Sequence, residues 1–429
     1  MNHLVKTSLV VGLALFAMIF GAGNIIFPPY IGVIAGDSWF IGFLAYFVAD
    51  IGLAIVAIIA LLTSNTLERF ESIFYRLGYW TARIFTGGII ISVGYICGPR
   101  TATVSYELGF VPVFGDFGLH WYCIVYFVLA WLLTIRESKM IDYIGKYLTP
   151  ILVVGLLAAI IVGVINPPGE MSSVPKVENV WYMGLMSGYQ TMDITAAVIY
   201  GYVISQDLSN KGYTSINDKI KAVLLCSVVV GVLMFIVYGG LCYLGATLSQ
   251  SYGADVQHGA LVVAVFQTML GKVGSMLLGV VVAMACLTTA IAMIGCPATF
   301  LVKVSNGKLK YNVMVTLVCF SYALLANLGL ARILQIAVPI IVLLFPVLLT
   351  MMFLALADRK IKNANIYKIA VGFTLIYAAG DLLRTHGVEA ANILEVLPLQ
   401  EHGFGWILPA AVGAVVGYFV KPKPEEQPA

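Results

Sequence analysis

Charge is what this sequence has least of. Asp, Glu, Lys and Arg make up 10% of its 429 residues, against 61% hydrophobic. Soluble domains run at about 25% charged and about 45–50% apolar, so this composition excludes an ordinary soluble enzyme. The net charge of +3 is small and dispersed, which argues against nucleic acid as a partner. The five histidines (3, 120, 258, 386, 402) are too scattered for a metal site. The seven cysteines (97, 123, 226, 242, 286, 296, 319) fall in apolar segments and form no CxxC pair. They read as buried thiols, with no disulfide framework or metal cluster. HExxH and GxSxG are missing, and none of the Gly-Lys pairs at 145–146, 271–272 and 307–308 is followed by Ser or Thr. Metalloprotease, hydrolase and phosphate-loop chemistry are therefore unsupported, and no cofactor motif is present. A channel would need a filter or a charged pore ring, and no repeated filter sequence occurs.

Long apolar runs dominate instead. Twelve reach spanning length, about 20 residues each. They lie near 7–33, 39–63, 82–106, 117–135, 144–165, 183–204, 217–248, 272–300, 311–328, 333–357, 367–383 and 404–420. The first run follows MNHLVK with no small-residue cleavage site and reads as a retained helix. The run at 259–270 is too short to span and ends at Gly271-Lys272, as a re-entrant or interfacial segment would. Basic residues test the count. With both termini in the cytoplasm, 19 of the 24 Lys and Arg fall on the inner side, and four (176, 272, 332, 384) on the outer. Arg100 alone lies within a span. This is the positive-inside pattern. The loop at 64–81 carries Leu67, Phe70, Ile73, Phe74 and Leu77 at helical spacing, which predicts an amphipathic surface helix. The tail KPKPEEQPA, 421–429, is expected to be disordered.

The first run is interrupted in its middle by Gly21-Ala22-Gly23-Asn24 and then Pro28-Pro29. A bilayer core tolerates broken helix only where protein or a cavity satisfies the loose backbone groups. Transporters use such breaks to bind substrates and ions. The sixth run carries a second polar break, Gly188-Tyr189-Gln190-Thr191-Met192-Asp193. Breaks in the first and sixth segments suit two five-helix repeats of opposite orientation, with a site at mid-depth. The half-helix after the first break presents N–H groups at Gly21–Asn24 to a carboxylate. The half-helix before it ends in carbonyls at 17–20, suited to a cation. Carbonyls around Gly188–Thr191 suit an ammonium. Ile25, Ile26 and Met192 are candidates for an apolar wall. The alternative for the glycines is helix packing of the small-xxx-small kind.

Four stretches resemble the bacterial branched-chain amino acid:cation symporter family: GAGNIIFPP (21–29), PRTATVSYE (99–107), the pattern G-Y-x-T-M-D (188–193) and NLGL (327–330). The resemblance covers nearly the whole chain. It implies an all-α protein of the bacterial inner membrane with twelve transmembrane helices. These would form a five-plus-five inverted repeat of the leucine-transporter type (1–357), with discontinuous helices 1 and 6 and two further helices (358–420). It implies import of leucine, isoleucine and valine by symport, with sodium as coupling ion. The alternative is a proton-coupled transporter of another small neutral amino acid or metabolite.

By resemblance, a sodium ion would bind the carbonyls of Ala17, Phe20 and Ala285 and the hydroxyls of Thr288 and Thr289. The alternative for both threonines is a hydrogen bond one turn back along their own helix. Substrate residues would be Gly21, Ala22, Gly23, Asn24, Gly188, Tyr189, Gln190, Thr191 and Asp193. Tyr95 would add a hydroxyl for the carboxylate. Asp193 and Asp50 both sit near mid-membrane, where ionisable groups are functional candidates. Asp193 matches the family motif, and Asp50 reads as a structural hydrogen-bonding group. Arg100 is either a snorkelling arginine or an outer gate, with Glu107 two turns further along its helix.

Overall fold

Apolar runs punctuated by Gly, Pro and Asn fold as helices, and no strand occurs among the described residues. The structure is a computed structural model that describes residues 3–63, 74–136, 143–191, 193–358 and 360–421. Met192, Leu67, Phe70, Ile73 and the tail 422–429 therefore lie outside the described residues. Among the described residues, six helical runs are long and apolar enough to cross a bilayer: Gly23–Ala60, Tyr79–Phe114, Ile144–Ile165, Asn217–Ala246, His258–Val304 and Ala364–Thr385. Shorter apolar helices of 10–17 residues accompany them. Helix α7 (Leu119–Thr134) exposes Trp121, Ile124, Val125, Val128, Leu129 and Leu132. An outward apolar face of that extent suits lipid.

The chain divides into two compact units, Met1–Ile55 with Val93–Ile333, and Val56–Ser92 with Leu334–Ala429. In the first unit, α1 (His3–Ile19) stops at Phe20 and α2 (Ala22–Ala35) restarts after Gly21, which is extended at φ −107°, ψ −163°. Pro28 and Pro29 lie inside α2. Having no N–H, they free the carbonyls of Asn24 and Ile25 one turn back. α11 (Ile216–Ala246) packs along both halves of this broken helix. Backbone meets backbone there: a Cβ on Gly32 would lie 1.9 Å from Cys242 O, and one on Gly245 2.0 Å from Pro29 O. Only glycine permits that approach.

α3 (Trp39–Phe47) runs through a π-helical turn, Val48–Gly52, into α4 (Leu53–Thr63). The turn buries Asp50 completely. The second broken helix is α9 (Val180–Tyr189) followed by α10 (Asp193–Asn210). Asn179 caps α9, its side chain accepting from Tyr182 N at 2.9 Å. α12 (His258–Val304) turns sharply at Gly271, φ 56°, ψ −134°, where the short run was expected to end. Its stretch 285–298 is buried on all sides, so it forms the centre of this unit. α5 (Tyr79–Val104), α6 (Val111–Phe114), α8 (Thr149–Ile165) and α13 (Tyr311–Ala326) complete the elements that bear on the site.

In the second unit, α14 (Leu330–Leu356) and α15 (Ala364–Thr385) flank Asp358, and α16 (Ile407–Phe419) packs on α15. Arg76 Nε donates to Asp358 Oδ1 at 2.9 Å, and Tyr75 and Tyr367 hydroxyls donate to the same carboxylate at 2.8 Å each. Burial works to raise the Asp358 carboxyl, but these three donors outweigh it and hold it below the ordinary carboxylate value. The carboxylate therefore contributes stability that is complete above pH ~4 and lost as pH falls through the lowered value. Asp358→Ala should destabilise the detergent-purified protein by ~1.5–3 kcal/mol at neutral pH. Thermal unfolding followed against pH checks this: the wild-type advantage should shrink on acidification, and a pH-independent difference would contradict it.

Candidate functional site

The two helix breaks meet at one cavity in the first unit. Gly21, Gly23 and Asn24 line it from the first break, and Thr191 and Asp193 from the second. Arg100 and Cys97 face it from α5, Thr289 and Met293 from α12. Its volume is about 30 Å³, room for a water or two.

A polar network closes the cavity floor. Asn24 Nδ2 donates to Asp193 Oδ2 and lies equally near Tyr238 OH, 2.5 Å in each case, with Asp50 Oδ2 at 3.5 Å. The Tyr238 hydroxyl donates to Asp50 Oδ2 at 2.8 Å. The Thr191 hydroxyl shares its proton between Asp50 Oδ1 at 2.9 Å and Gly188 O at 2.8 Å. Four elements are thereby tied together: the first break, the π turn of Asp50, the second break and α11. Asp50 makes the structural hydrogen bonds expected of it, to neighbouring elements, and through Asn24 it belongs to the same cluster as Asp193. Two buried carboxyl groups so close disfavour a double negative charge, which a shared proton or a nearby cation relieves.

Arg100 stands over this cluster. It is 9% exposed, and a Cβ on Gly23 would lie 2.8 Å from its Nη2. It therefore does not snorkel to an interface, whereas Glu107, two turns further along, is exposed.

Some expected residues lie elsewhere. Tyr95 points away from the cavity: its hydroxyl accepts from Ser321 Oγ at 3.1 Å, and its ring meets Tyr322 edge-on at 5.1 Å. The cause is helix phase. Cys97, Arg100 and Thr101 share the cavity face of α5, and Tyr95 lies ~160° from Cys97 around the helix. Gly188 sits behind the cavity, where an added Cβ would lie 2.7 Å from Tyr46 O and 3.1 Å from Asp50 N. Its role is to let α9 approach α3. Tyr189 is half-buried and Gln190 exposed, and neither lines the cavity. Ala22 opens the first turn of α2. Ile25 and Ile26 also lie off the cavity, whose apolar wall is formed by Ile19, Ala196 and Met293.

The oxygens named for a cation do converge in part. Thr288 Oγ1 lies 2.8 Å from Ala17 O and 2.9 Å from Ala285 O, and donates to both. Thr289 Oγ1 donates to Met18 O at 3.3 Å and lies beside Gly21. Ala17 and Phe20 belong to the last turn and end of α1, where carbonyls lack helical partners and the helix dipole is negative. Hard oxygen donors of this kind fit a hard cation. The hydroxyl–carbonyl bonds equally match the back-bonding alternative for Thr288.

Comparison with known proteins places the chain. A family model described as branched-chain amino acid transport protein matches residues 4–423. The branched-chain amino acid permease BrnQ of Bacillus subtilis is 31% identical, covering 96% of each chain. The permease BraB of the same organism is 30% identical over 96% of this chain and 95% of its own. Among solved structures, a Na+-coupled sialic acid symporter aligns with TM-score 0.59 and 13% identity over 97% of this chain and 90% of its own. Mhp1, a nucleobase-cation-symport-1 family transporter, aligns with TM-score 0.62 and 12% identity, covering 96% and 91%. These last two establish shared fold alone. The family consists of transport proteins, not enzymes, and this chain belongs to the branched-chain amino acid transport protein family.

Proposed function

We propose that the chain imports leucine, isoleucine and valine across the bacterial inner membrane by alternating access, driven by a sodium gradient. The observation that carries this reading is the convergence of both helix breaks on one charged cavity, in a chain whose relatives are named for branched-chain amino acid transport. The transport core would be residues 1–357 as a five-plus-five inverted repeat within twelve spanning helices. Residues 358–420 would add two helices, and both termini would be cytoplasmic. The substrate carboxylate would take the free N–H groups at the start of α2. Its ammonium would take the second break, where Asp193 and the carbonyl of Gly188 face the network.

Sodium would sit where Thr288 meets the carbonyls of Ala17 and Ala285, with Phe20 and Thr289 completing the set. A bound cation would draw those carbonyls and turn the hydroxyl protons away. Ion and substrate would then grip opposite ends of the same break, so each would favour the backbone geometry that the other needs.

The shared pocket has a direct test. An apolar wall separates substrates that differ by one methylene by only ~1–3 kcal/mol. Leucine, isoleucine and valine should therefore inhibit one another's uptake in proteoliposomes within roughly 200-fold. Independent, non-competing uptake of the three would exclude one pocket.

Coupling is tested by Thr288→Ala with Thr289→Ala. The half-saturating sodium concentration for leucine uptake should rise at least about tenfold, ~1.4 kcal/mol, a much larger effect than any fall in membrane abundance. An unaltered sodium response would remove these threonines from the ion site. Uptake that follows a proton gradient without sodium would point instead to the Asp50–Asp193 pair.

A further inference from the structure

The breaks explain where an amino acid would lie, but not why Arg100, a basic residue deep within the third run, points at them. Arg100 is more than nine-tenths buried, and its guanidinium donates to no described residue. A buried guanidinium whose donors find no acceptor among the described residues is expensive unless an anion completes it. It faces the cavity that Asp193 also lines, and the two side chains interact electrostatically across it without a hydrogen bond between them among the described residues. Nη2 overhangs Gly23, at the N-terminal turn of the 14-residue α2. That turn supplies N–H donors and the positive dipole end. Guanidinium and helix end thus aim at the same spot.

We propose that Arg100 is the carboxylate anchor of the transported amino acid. Its planar fork would take one or both carboxylate oxygens, with the first N–H groups of α2 on the other side. Asp193 would face the ammonium. A zwitterion completes both side chains at once, whereas an amine or an acid completes only one. Gly23 has no side chain because the guanidinium occupies the space a Cβ would need. The inference rests on the amino acid transport reading above and adds the residue that reads the carboxylate.

The test uses the full-length purified protein and two ligands, leucine and leucinamide, which differ chiefly in the carboxylate charge. Dissociation constants come from ligand-induced thermal stabilisation. In the wild type, leucine should bind roughly 10- to 150-fold more tightly than leucinamide, the range of one charge-assisted hydrogen bond. In Arg100→Gln the ratio should collapse to within about threefold, mainly through loss of leucine binding. Arg100→Lys keeps the charge and loses the fork, so its ratio should be intermediate. If Arg100→Gln does not fold, Arg100→Lys carries the test alone. A wild-type ratio near one would overturn the proposal. So would an unchanged ratio in the variants, or an equal loss of both ligands, since a merely structural arginine would weaken the two alike. Wild-type protein that binds no branched-chain amino acid would refute the substrate reading instead. The same variants would then be read on the amino acid it does bind and on its amide.

Discussion

A helix broken inside a bilayer leaves backbone groups with no water to satisfy them, and this constraint organises the first unit. Each unmet group would cost several kcal/mol. The last turn of α1 has free carbonyls and the first turn of α2 has free N–H groups. Part of the demand is met by side chains from α12, where Thr288 and Thr289 donate to Ala17 O and Met18 O. α11 holds the two half-helices in line through contacts that glycine alone allows. What stays unmet faces the cavity, so a site with polar ends is a consequence of the break.

The second consequence is mechanical. Asn24 sits just after the first break and reaches Asp193, just after the second. Asp50 and Tyr238 bind the same cluster from the π turn and from α11. Any rotation of the first broken helix against the second must exchange the Asn24–Asp193 hydrogen bond for another partner. The network is therefore both a lock on the arrangement described here and the place where a ligand's charge would be felt. Asp358 plays a comparable structural part in the second unit, tying Tyr75 and Arg76 to Tyr367 through one carboxylate.

Legibility in the sequence followed the range of the cause. Glycine and proline break helices locally, so both interruptions and the turn at Gly271 could be read from residue type alone. The family resemblance was legible from short motifs for the same reason. Helix phase was a weaker guide. The resemblance places a hydroxyl at Tyr95, but two residues along a helix amount to more than half a turn, and Cys97 and Arg100 hold the cavity face instead. The unbalanced charge of Arg100 was visible; which group it faced was not. Asp50 stood out as a carboxylate at mid-depth, yet its partners come from positions 24, 191 and 238. A π turn that aims it inward leaves no pattern in apolar sequence. Tyr238 gave no signal at all, being one tyrosine in an apolar run, and its part depends on packing across 188 positions from Asp50.

These observations separate two kinds of recognition within one cavity. The polar end carries a guanidinium, a carboxyl group and a helix terminus in a buried setting, where a missing partner is costly. Such groups discriminate steeply between a zwitterion and molecules lacking either charge. The apolar wall of Ile19, Ala196 and Met293 can only weigh methylenes, and methylenes are weighed gently. On the proposed reading, the class of substrate would be set by the backbone breaks and the charges beside them, and the preference within the class by the wall. The cavity volume of about 30 Å³ adds the last step. It accommodates water but no aliphatic side chain, so admission of one must widen the wall. On that reading, the residues that set preference would be the same ones that move, and selectivity and opening would become one property of the packing between α1, α10 and α12.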